Sequence, residues 1–428
     1  MVKKQYINTE IGILPEGWGL STLKDICEKG GIVRGPFGGS LKKEVFVTEG
    51  YKVYEQANAI HKTVNRGTYY IDENKYREMI RFTVREGDFI VSCSGTIGMI
   101  YQIPTNAPEG IINQALLKLT INSLKINPSF FYLYFMWESF NKRIVDDTQG
   151  GAMKNLVGMD VFKNTLFPIP QMKEQEQISQ VLLENNALIS TLEKQIEKKK
   201  HIKQGVMQEL LSGKRRLKGF SVDWRVFQFN EVFDFVSNNA FTRAQMTDSG
   251  KVKNIHYGDI LTKYGAYVKA NSNNIPYIKE EIDLSRFADK CYLQSGDVII
   301  ADTAEDETVG KALEVIEVDC SILSGQHTLL CRPKIRFAEK FLGYYLNSSY
   351  YHNQLIPYIV GTKVSSVTRS SVSLTKLLVP EYEEQKAIAS ILSDMDDEIT
   401  ELEKKLEKYK QVKQGMMEQL LTGKIRLV

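Results

Sequence analysis

The sequence has few cysteines for its 428 residues, and their pattern excludes two classes of protein. The five form no Cys-x-x-Cys pair, and their odd number leaves one over. Met1-Val2-Lys3-Lys4 does not resemble a secretory signal, and the longest apolar run, residues 130–137, is far short of the ~20 that span a membrane. We expect a protein of the reducing cytoplasm, neither secreted nor membrane-bound, with its thiols in apolar cores. The cysteines are Cys27, Cys93, Cys291, Cys320 and Cys331.

The sequence also lacks the motifs of the common enzymes that act on nucleic acids. It contains no Gly-x-Gly-x-x-Gly and no Gly-Lys-Ser/Thr, which argues against a bound dinucleotide or nucleoside triphosphate. It has no Pro-Pro pair for the target-base loop of a DNA methyltransferase. No proline precedes an aspartate, as one would in common metal-dependent nucleases. We therefore predict a chain that is not itself catalytic and needs no cofactor.

Metal ligands at useful spacing are missing as well. The five histidines, at positions 61, 201, 256, 327 and 352, are scattered along the chain. Asp302, Glu305, Asp306 and Glu307 offer oxygen ligands for Mg²⁺, but a solvated acidic loop is the better interpretation. No metal site is predicted.

Overall charge is weak. The net charge is +3, and the hydrophobic and charged fractions of 43% and 25% are those of an ordinary folded soluble protein. A nucleic-acid partner would therefore have to meet a local basic patch and not a field of the whole molecule.

What the sequence does contain is a long repeat. Residues 170–217 recur at 380–427 without a gap, and 22 of the 48 aligned positions are identical. Each copy ends on Leu-Leu-Ser/Thr-Gly-Lys followed by Arg-Leu. A repeat of this length divides the chain into two globular halves, each followed by a helix.

Apolar residues in each copy alternate in steps of three and four, which predicts a coiled-coil helix. Asn185, Lys199 and Lys203 interrupt the first pattern. Gly205 and Gly415 lie inside the predicted helices, which suggests a close backbone approach or a break. The predicted pairing residues are Ile178, Leu182, Ile189, Leu192 and Ile196 in the first copy, and Ile388, Leu392, Met395, Ile399, Leu402 and Leu406 in the second.

The charges of the two copies differ in sign. Residues 173–217 have 9 basic and 6 acidic side chains, giving +3, and residues 381–428 have 8 and 11, giving −3. Opposite charges favour pairing of the two helices within one chain. The alternative is a homodimer in which each helix pairs with its counterpart.

The two halves share an outline. Each opens on a tryptophan, has a Gly-Asp turn into a buried strand, continues to an aromatic helix and ends on a strand before proline. We predict one α+β fold used twice, in globular domains at 1–170 and 218–380, each followed by a coiled-coil helix, at 171–217 and 381–428. The halves differ most in their loops, as expected if the loops read different things.

Several loop residues have the chemistry of nucleic-acid contact. Arg34, Lys42 and Lys43 flank a glycine-rich turn that would let the backbone approach a phosphate. Others offer donors and acceptors for base edges. These are Gln56, Asn58, Gln114, Arg243, His256 and Gln326.

At this point the sequence resembles the specificity subunits of type I restriction–modification systems. The resemblance covers the whole chain and is carried by residues 9–18 (TEIGILPEGW), 87–92 (GDFIVS), 174–178 (EQEQI) and 210–214 (LLSGK). It implies that 1–170 and 218–380 are target-recognition domains, each reading one half of a split, asymmetric site in double-stranded DNA. It also implies that the helices at 171–217 and 381–428 are spacers that form an antiparallel coiled coil and hold the domains apart. It also implies two methyltransferase (modification) subunits and restriction–translocase subunits as partners, in which catalysis would lie.

The resemblance further implies where the reading loops lie. By position they are 34–43, 56–58, 92–98, 113–114 and 150–155 in the first half, and 239–243, 254–264, 303–306, 325–327 and 361–369 in the second. This adds further candidates for DNA contact: Ser94, Thr96, Lys154, Tyr257, Lys263, Thr303, His327, Lys363 and Arg369. Two alternatives stay open: the specificity subunit of a fused restriction–methylation enzyme, or a coiled-coil scaffold that binds proteins only.

Overall fold

Each half of the chain is built on a strand that follows a Gly-Asp turn. In the computed structural model, which describes residues 6–146, 155–361 and 363–427, these buried strands are Phe89–Ser92 and Val298–Ala301. Gly87 and Gly296 adopt φ of 83° and 90°, which glycine takes without strain. The aspartate that follows each accepts a hydrogen bond from the backbone N–H three residues earlier, so both predicted turns are confirmed.

The chain folds as two compact units, residues 1–191 with 406–428, and residues 192–405. We call the globular part of the first unit domain 1 and that of the second domain 2. Each domain has a mainly antiparallel sheet centred on the buried strand and a second, mixed sheet.

In domain 1 the first sheet is wholly antiparallel, with strand order Ile100–Gln102, Phe89–Ser92, Leu116–Ile121, Cys27–Arg34. The second has the order Phe46–Val47, Tyr70–Ile71, Tyr51–Tyr54, Gly110–Ile112, Thr83–Val84. Its Tyr51–Tyr54 and Gly110–Ile112 strands run parallel. Three strand pairs complete the domain: Tyr6–Thr9 with Gly12–Pro15, Gly19–Thr22 with Leu166–Ile169, and Val145–Asp146 with Asn155–Leu156.

Domain 2 repeats this plan. Its first sheet has the order Phe233–Val236, Thr328–Pro333, Val298–Ala301, Ala312–Ile316, Tyr267–Lys269. The second has the order Met246–Thr247, Tyr277–Ile278, Lys253–Ile255, Ile322–Ser324, and again one pair, Lys253–Ile255 with Ile322–Ser324, is parallel. Two strand pairs are added: Arg225–Gln228 with Lys376–Val379, and Thr303–Ala304 with Ser365–Ser366.

Short helices connect these strands. In domain 1 they are Leu23–Ile26, Gln56–His61, Glu73–Glu78, Pro128–Met136, Glu138–Ile144 and Met159–Asn164, with 3-10 turns at Gly38–Ser40, Lys43–Val45 and Ile80–Phe82. In domain 2 they are Phe229–Val232, Tyr257–Thr262, Phe341–Leu346, Ser349–His352 and Arg369–Ser373, with 3-10 turns at Arg243–Gln245, Asp289–Cys291 and Ile356–Tyr358. The predicted aromatic helices are thus confirmed as Pro128–Met136 and Phe341–Leu346, and both are largely buried in their domain's core.

Two long helices follow the domains, the central helix Met172–Leu211 and the C-terminal helix Tyr382–Leu420. Within each unit they run antiparallel, as predicted. In the second unit Lys199 and Lys200 of the central helix pair with Glu398 and Glu403 at 2.7 and 2.6 Å, and Lys203 pairs with Asp396. The lysines that interrupt the apolar pattern therefore meet the acidic partner that the opposite net charges predict.

The apolar pattern has two roles along each helix. Ile178 and Leu182 lie in the core of domain 1 together with Leu420 and Leu421 of the C-terminal helix. By the same arrangement Ile388 and Leu392 lie in the core of domain 2 with Leu210 and Leu211. Further along, Ile189, Leu192, Ile196 and Ile399 are buried, while Met395, Leu402 and Leu406 are half-buried.

The interior glycines do not behave as predicted. Gly205 and Gly415 lie in unbroken, exposed helix, and a β-carbon at either would meet no atom within 4 Å. Neither a break nor a close approach explains them in this structure. Gly213 and Gly423 do end the helices, with φ of 70° and 69°, as the stop signals predict.

A buried carboxylate fixes each helix to its domain. In the first unit Glu174 accepts hydrogen bonds from Trp18 Nε1 at 3.0 Å and from Arg426 Nε and Nη2 at 2.5 and 2.8 Å. In the second unit Glu384 accepts from Trp224 Nε1 at 2.8 Å and from Arg216 Nε and Nη2, both at 2.7 Å. We call these the Trp–Glu–Arg triads. Each joins the entry of a domain, the start of the helix that follows it and the end of the other helix.

Candidate nucleic-acid interface

The predicted loops of domain 1 come together at one end of its sheets. The backbone of Gly35 lies against Asn113 and Gln114 so closely that a β-carbon would overlap the Asn113 carbonyl, and Gly35 N donates to Leu116 O at 2.9 Å. This contact requires glycine. It joins the loop after Arg34 to the loop at 113–114.

The loop at 92–98 lies beside them. A β-carbon built on Gly95 would lie 3.9 Å from Nε2 of Gln56. Ser94 of the same loop forms a β-bridge with Asn155. Oε1 of Gln56 is buried and has no hydrogen-bond partner among the described residues. A buried acceptor without a partner is costly, so Gln56 is the least satisfied polar side chain of this loop cluster.

The other candidates of domain 1 differ in exposure. Lys42, Lys43, Thr96 and Gln114 are exposed, and Arg34 and Ser94 are half-buried. Lys154 lies outside the described residues.

Asn58 is a correction. Its side chain is fully buried, accepts a hydrogen bond from Glu55 N at 2.8 Å and donates both amide hydrogens, to Thr63 O and Arg66 O. Because every position of the amide is used inside the domain, none remains for a base edge. Asn58 holds the loop that follows its helix and does not read DNA.

In domain 2 the predicted loops meet through contacts between aromatic and imidazole rings. Tyr257 lies between His256 and His327, with ring centroids 4.6 and 5.3 Å away. Burial, followed by the charge of Arg243, lowers the pKa of His256, so its neutral ring can accept the hydrogen bond from Gly258 N at 3.3 Å. His256 is thereby both the cap of the helix Tyr257–Thr262 and a wall of the candidate surface.

His327 connects this group to the loop at 303. Its Nδ1 lies 3.5 Å from Oδ1 of Asp302, which also accepts from the Thr303 hydroxyl at 2.8 Å. Nε2 of Gln326 is 3.3 Å from Nε2 of His327. His327 has φ of 55°, a left-handed conformation that costs energy for a residue other than glycine. Such strain is common where a structure holds a side chain for function.

A carboxylate that the sequence analysis missed organises the third group. Asp259 is fully buried, and its Oδ1 pairs with Arg243 and with Lys263 Nζ at 2.9 Å. The signal was available in part, because Asp259 and Lys263 are four residues apart on a predicted helical segment. That Arg243 reaches the same oxygen could not be foreseen from spacing.

The last two candidates flank this surface. Arg369 is exposed, with its guanidinium 5.8 Å from the centroid of the Phe235 ring and 3.5 Å from Val236 O. Lys363 is exposed just before the strand Ser365–Ser366, which pairs with Thr303–Ala304. Lys363 thus precedes, and Arg369 follows, the strand that pairs with the Thr303 segment.

Neither a metal centre nor a membrane helix is found in the part of the chain that the structure describes. No group of three or more His, Cys, Asp or Glu residues there is arranged to hold a metal ion. Asp306 of the acidic loop instead accepts from Thr308 N at 2.9 Å, as a turn-capping side chain does. Likewise, no described helix has both the length and the apolar character to cross a bilayer.

Comparison with known proteins agrees with the repeated plan. The model of the type I restriction–modification DNA specificity domain matches twice, over residues 15–203 and 221–414. The MjaVIII specificity subunit of a type I restriction enzyme from Methanocaldococcus jannaschii is 26% identical over 363 residues, 80% of each chain. A putative MjaX specificity subunit from the same organism is 23% identical over 445 residues, covering 99% of this chain and 97% of the relative.

Solved structures share the fold over nearly the whole length. An S subunit of a type I restriction–modification system from M. genitalium has a TM-score of 0.53 at 14% identity and covers 98% of this chain and 99% of its own. A chain from a study of complex assembly and conformational transition of a type I R-M system has a TM-score of 0.58 at 15% identity, covering 96% and 99%.

The two matched segments, on two domains of one fold with a loop cluster each, define a protein with a duplicated recognition module. The chain belongs to the type I restriction–modification specificity subunit family. Members of this family are non-catalytic components of their complexes.

Proposed function

We propose that this chain is the subunit that selects the DNA sequence for a type I restriction–modification complex, with each domain reading one half of a split, asymmetric site. The observation that carries the proposal is that one fold is used twice with different side chains in equivalent loops. Gln56 and Gln114 occupy the loops of domain 1, where domain 2 has Tyr257 and Gln326 with His327. A shared frame with different loops suits two readers of different sequences.

The chemistry of both surfaces supports duplex DNA as the ligand. Exposed Lys42 and Lys43 are suited to phosphate contacts, which position a protein on DNA. Glutamine side chains can pair with base edges in the major groove, and arginine with guanine. The net charge of +3 is low, so binding would depend on these local cations and not on a long-range field.

The partners follow from the family. Two methyltransferase subunits that flip and methylate adenine, and restriction–translocase subunits, would supply the catalysis. The central and C-terminal helices are the elements we propose for holding the two readers apart and for contact with these partners. The setting is the bacterial or archaeal cytoplasm.

The test uses the full chain, alone and co-expressed with its modification subunit, on a library of randomised duplexes. Sequencing of the bound fraction should return one motif made of two short halves and an unread gap. Methylation should require the modification subunit and fall within the same motif. A protein-only scaffold would return no motif. Methylation by the isolated chain with S-adenosylmethionine would contradict the proposal that catalysis lies in the partner subunits.

A further inference from the structure

The least explained group in domain 2 is the buried carboxylate of Asp259 with its two cations. Its side chain is 0% exposed, while those of Arg243 and Lys263 are 50% and 47% exposed. Both cations meet Oδ1; Oδ2 is buried and has no hydrogen-bond partner among the described residues. Burying an ionised carboxylate is costly, so a position that leaves one oxygen unmatched calls for a reason beyond packing.

A second buried pair in domain 2 shows what a purely structural arrangement looks like. Asp297 accepts from Arg332 Nε and Nη2 at 2.9 and 2.7 Å, and the same guanidinium donates to the carbonyls of Lys290 and Tyr292. Every guanidinium nitrogen of Arg332 therefore donates to an acceptor inside the domain, and the side chain is 19% exposed.

Arg243 is held differently. It reaches Asp259 through Nη2 alone, and within the described part of the chain Nη1 and Nε have no acceptor. The buried carboxylate thus holds the guanidinium from behind, and its remaining donors stay at the surface. A fixed, planar fork of donors is the group that pairs with the O6 and N7 acceptors of guanine.

The surroundings suit a base pair. Arg243 and Lys263 line a recess together with Thr247, Asp248, Asn273 and Asn274. Asp248 is exposed and would accept from the amino group of a cytosine, the partner of a guanine that Arg243 contacts. Lysine at the edge of such a recess is suited to the neighbouring phosphate.

Domain 1 has no such arrangement at the equivalent place. Asn58 and Asp259 are both the third residue of the helix after the parallel strand, and Lys43 and Arg243 each begin a 3-10 turn. The side-chain amide of Asn58 donates to two carbonyls of the loop that follows its helix and does not pair with a cation. The two domains therefore differ here in chemistry while sharing the backbone.

We propose that Arg243 reads a guanine in the half-site of domain 2, and that Asp259 is the positioning residue that fixes the guanidinium for this contact. The inference rests on the proposed function. It adds a base identity and a residue to one of the two readers.

The test begins from the motif that the full chain, with its modification subunit, selects from randomised duplexes. Each guanine of the domain 2 half-site is then replaced by 7-deazaguanine, which lacks N7. Replacement at one position should weaken binding of the unaltered protein about tenfold. Arg243→Ala should weaken binding to the natural duplex by about 5- to 150-fold and abolish the effect of the 7-deaza base.

Asp259→Asn isolates the positioning role, because the amide has the same shape and both cations remain. It should reduce the preference for that guanine about tenfold without lowering the salt dependence of binding. If Asp259 only neutralised its neighbours, the variant would instead bind all duplexes more tightly. Asp297→Asn is the matched control, since it removes a buried charge from an arginine that does not line the recess, and should leave the preference unchanged.

Arg243→Lys keeps the test decisive even if Asp259→Asn fails to fold. It retains the charge but not the planar fork of donors, and should reduce the guanine preference while thermal stability is kept. The inference is overturned if no guanine of the half-site is sensitive to the 7-deaza base, if Arg243→Lys keeps the full preference, or if folded Asp259→Asn does. Recovery of no split motif by the unaltered complex would instead defeat the proposed function.

Discussion

The two domains agree where the chain packs against itself and differ in the loops that its sheets present. The Trp–Glu–Arg triads match atom for atom although they join residues more than 150 positions apart. Gln175 and Gln385, which follow the two glutamates, also make the same pair of bonds, each to a proline carbonyl and from a backbone N–H of its domain. Agreement at such positions identifies the parts that any two domains on this frame need.

Even a buried lysine belongs to the shared frame. Lys52 and Lys253 are 3% and 4% exposed at the start of the parallel strand of each domain. Lys52 Nζ donates to Gly67 O at 3.2 Å, and Lys253 Nζ to Ala270 O and Ser272 O at 2.8 and 3.0 Å. A buried lysine that donates to loop carbonyls ties a loop to the sheet. This role is structural, although a lysine in the sequence of a DNA-binding domain would suggest a phosphate contact.

The two domains cap their aromatic helices in different ways. In domain 1 the helix Pro128–Met136 is capped by Asn127, whose side chain accepts from Ser129 N and Phe130 N. In domain 2 Lys340 at the equivalent cap has φ of 70°, and its side chain does not cap the helix. The carboxylate of Glu314 from a neighbouring strand accepts from Lys340 N and Gly343 N instead. The frame tolerates a change of chemistry when the same backbone donors stay satisfied.

The largest effect is expected from breaking a triad. Glu174→Ala would leave Arg426 and Trp18 without their shared acceptor and should lower the free energy of unfolding of the first unit by about 3–5 kcal/mol. Differential scanning calorimetry should show one transition shifted down by several degrees. Glu384→Ala should shift the other transition to a similar extent.

Glu176→Ala serves as the control for the triad, because that glutamate is exposed on the same helix. It should change the free energy of unfolding by less than about 0.5 kcal/mol. If Glu174→Ala also left both transitions unmoved, the triads would not be what attaches the helices to the domains.

Only part of this arrangement could be predicted from the sequence. The repeat and the heptad pattern predicted both long helices, and their opposite net charges predicted that the helices pair within one chain. The antiparallel direction came from the family resemblance, and the pairing of Lys199 with Glu398 became visible only in the structure. Asn58 was misread, because burial depends on contacts with a loop that spacing does not reveal. Asp259 was missed for the same reason, since its partner Arg243 lies on a different loop.

The next effect concerns the buried glutamate of domain 2. Burial raises the pKa of Glu314 to about 7, so the folded protein keeps a proton that the unfolded chain has lost above pH 4.5. Stability from this group should therefore fall as pH rises from about 4.5 to 7, by up to about 3 kcal/mol, and stay level above. Chemical unfolding across this range should show the loss.

Glu314→Gln should remove that slope, since the amide does not titrate. Domain 1 provides a natural precedent, because Gln102 occupies the same register beside the Gly-Asp turn. Exposed Glu317→Gln is the matched control and should keep the slope of the unaltered protein. An identical pH dependence in Glu314→Gln and the unaltered chain would place the titrating group elsewhere.

The smallest effects separate phosphate contacts from base contacts within domain 1. Lys43→Ala should weaken binding to all duplexes alike and reduce the salt slope by about 1. Gln114→Ala should instead reduce the preference at one base pair by about 1–3 kcal/mol and leave the salt slope unchanged. Fluorescence anisotropy at several salt concentrations measures both. If Gln114→Ala weakened binding to all duplexes alike, as Lys43→Ala is expected to do, the 113–114 loop would not be part of the reading surface.

The central claim is that the two domains read independently, and exchange of one domain tests it most directly. Residues 1–170 would be replaced by the equivalent domain of another family member, keeping both long helices and Arg426, and methylation would be mapped across a host genome that also carries the modification subunit. The account predicts a new first half-site, with the second half-site and the gap unchanged. A motif in which both halves changed together would contradict it.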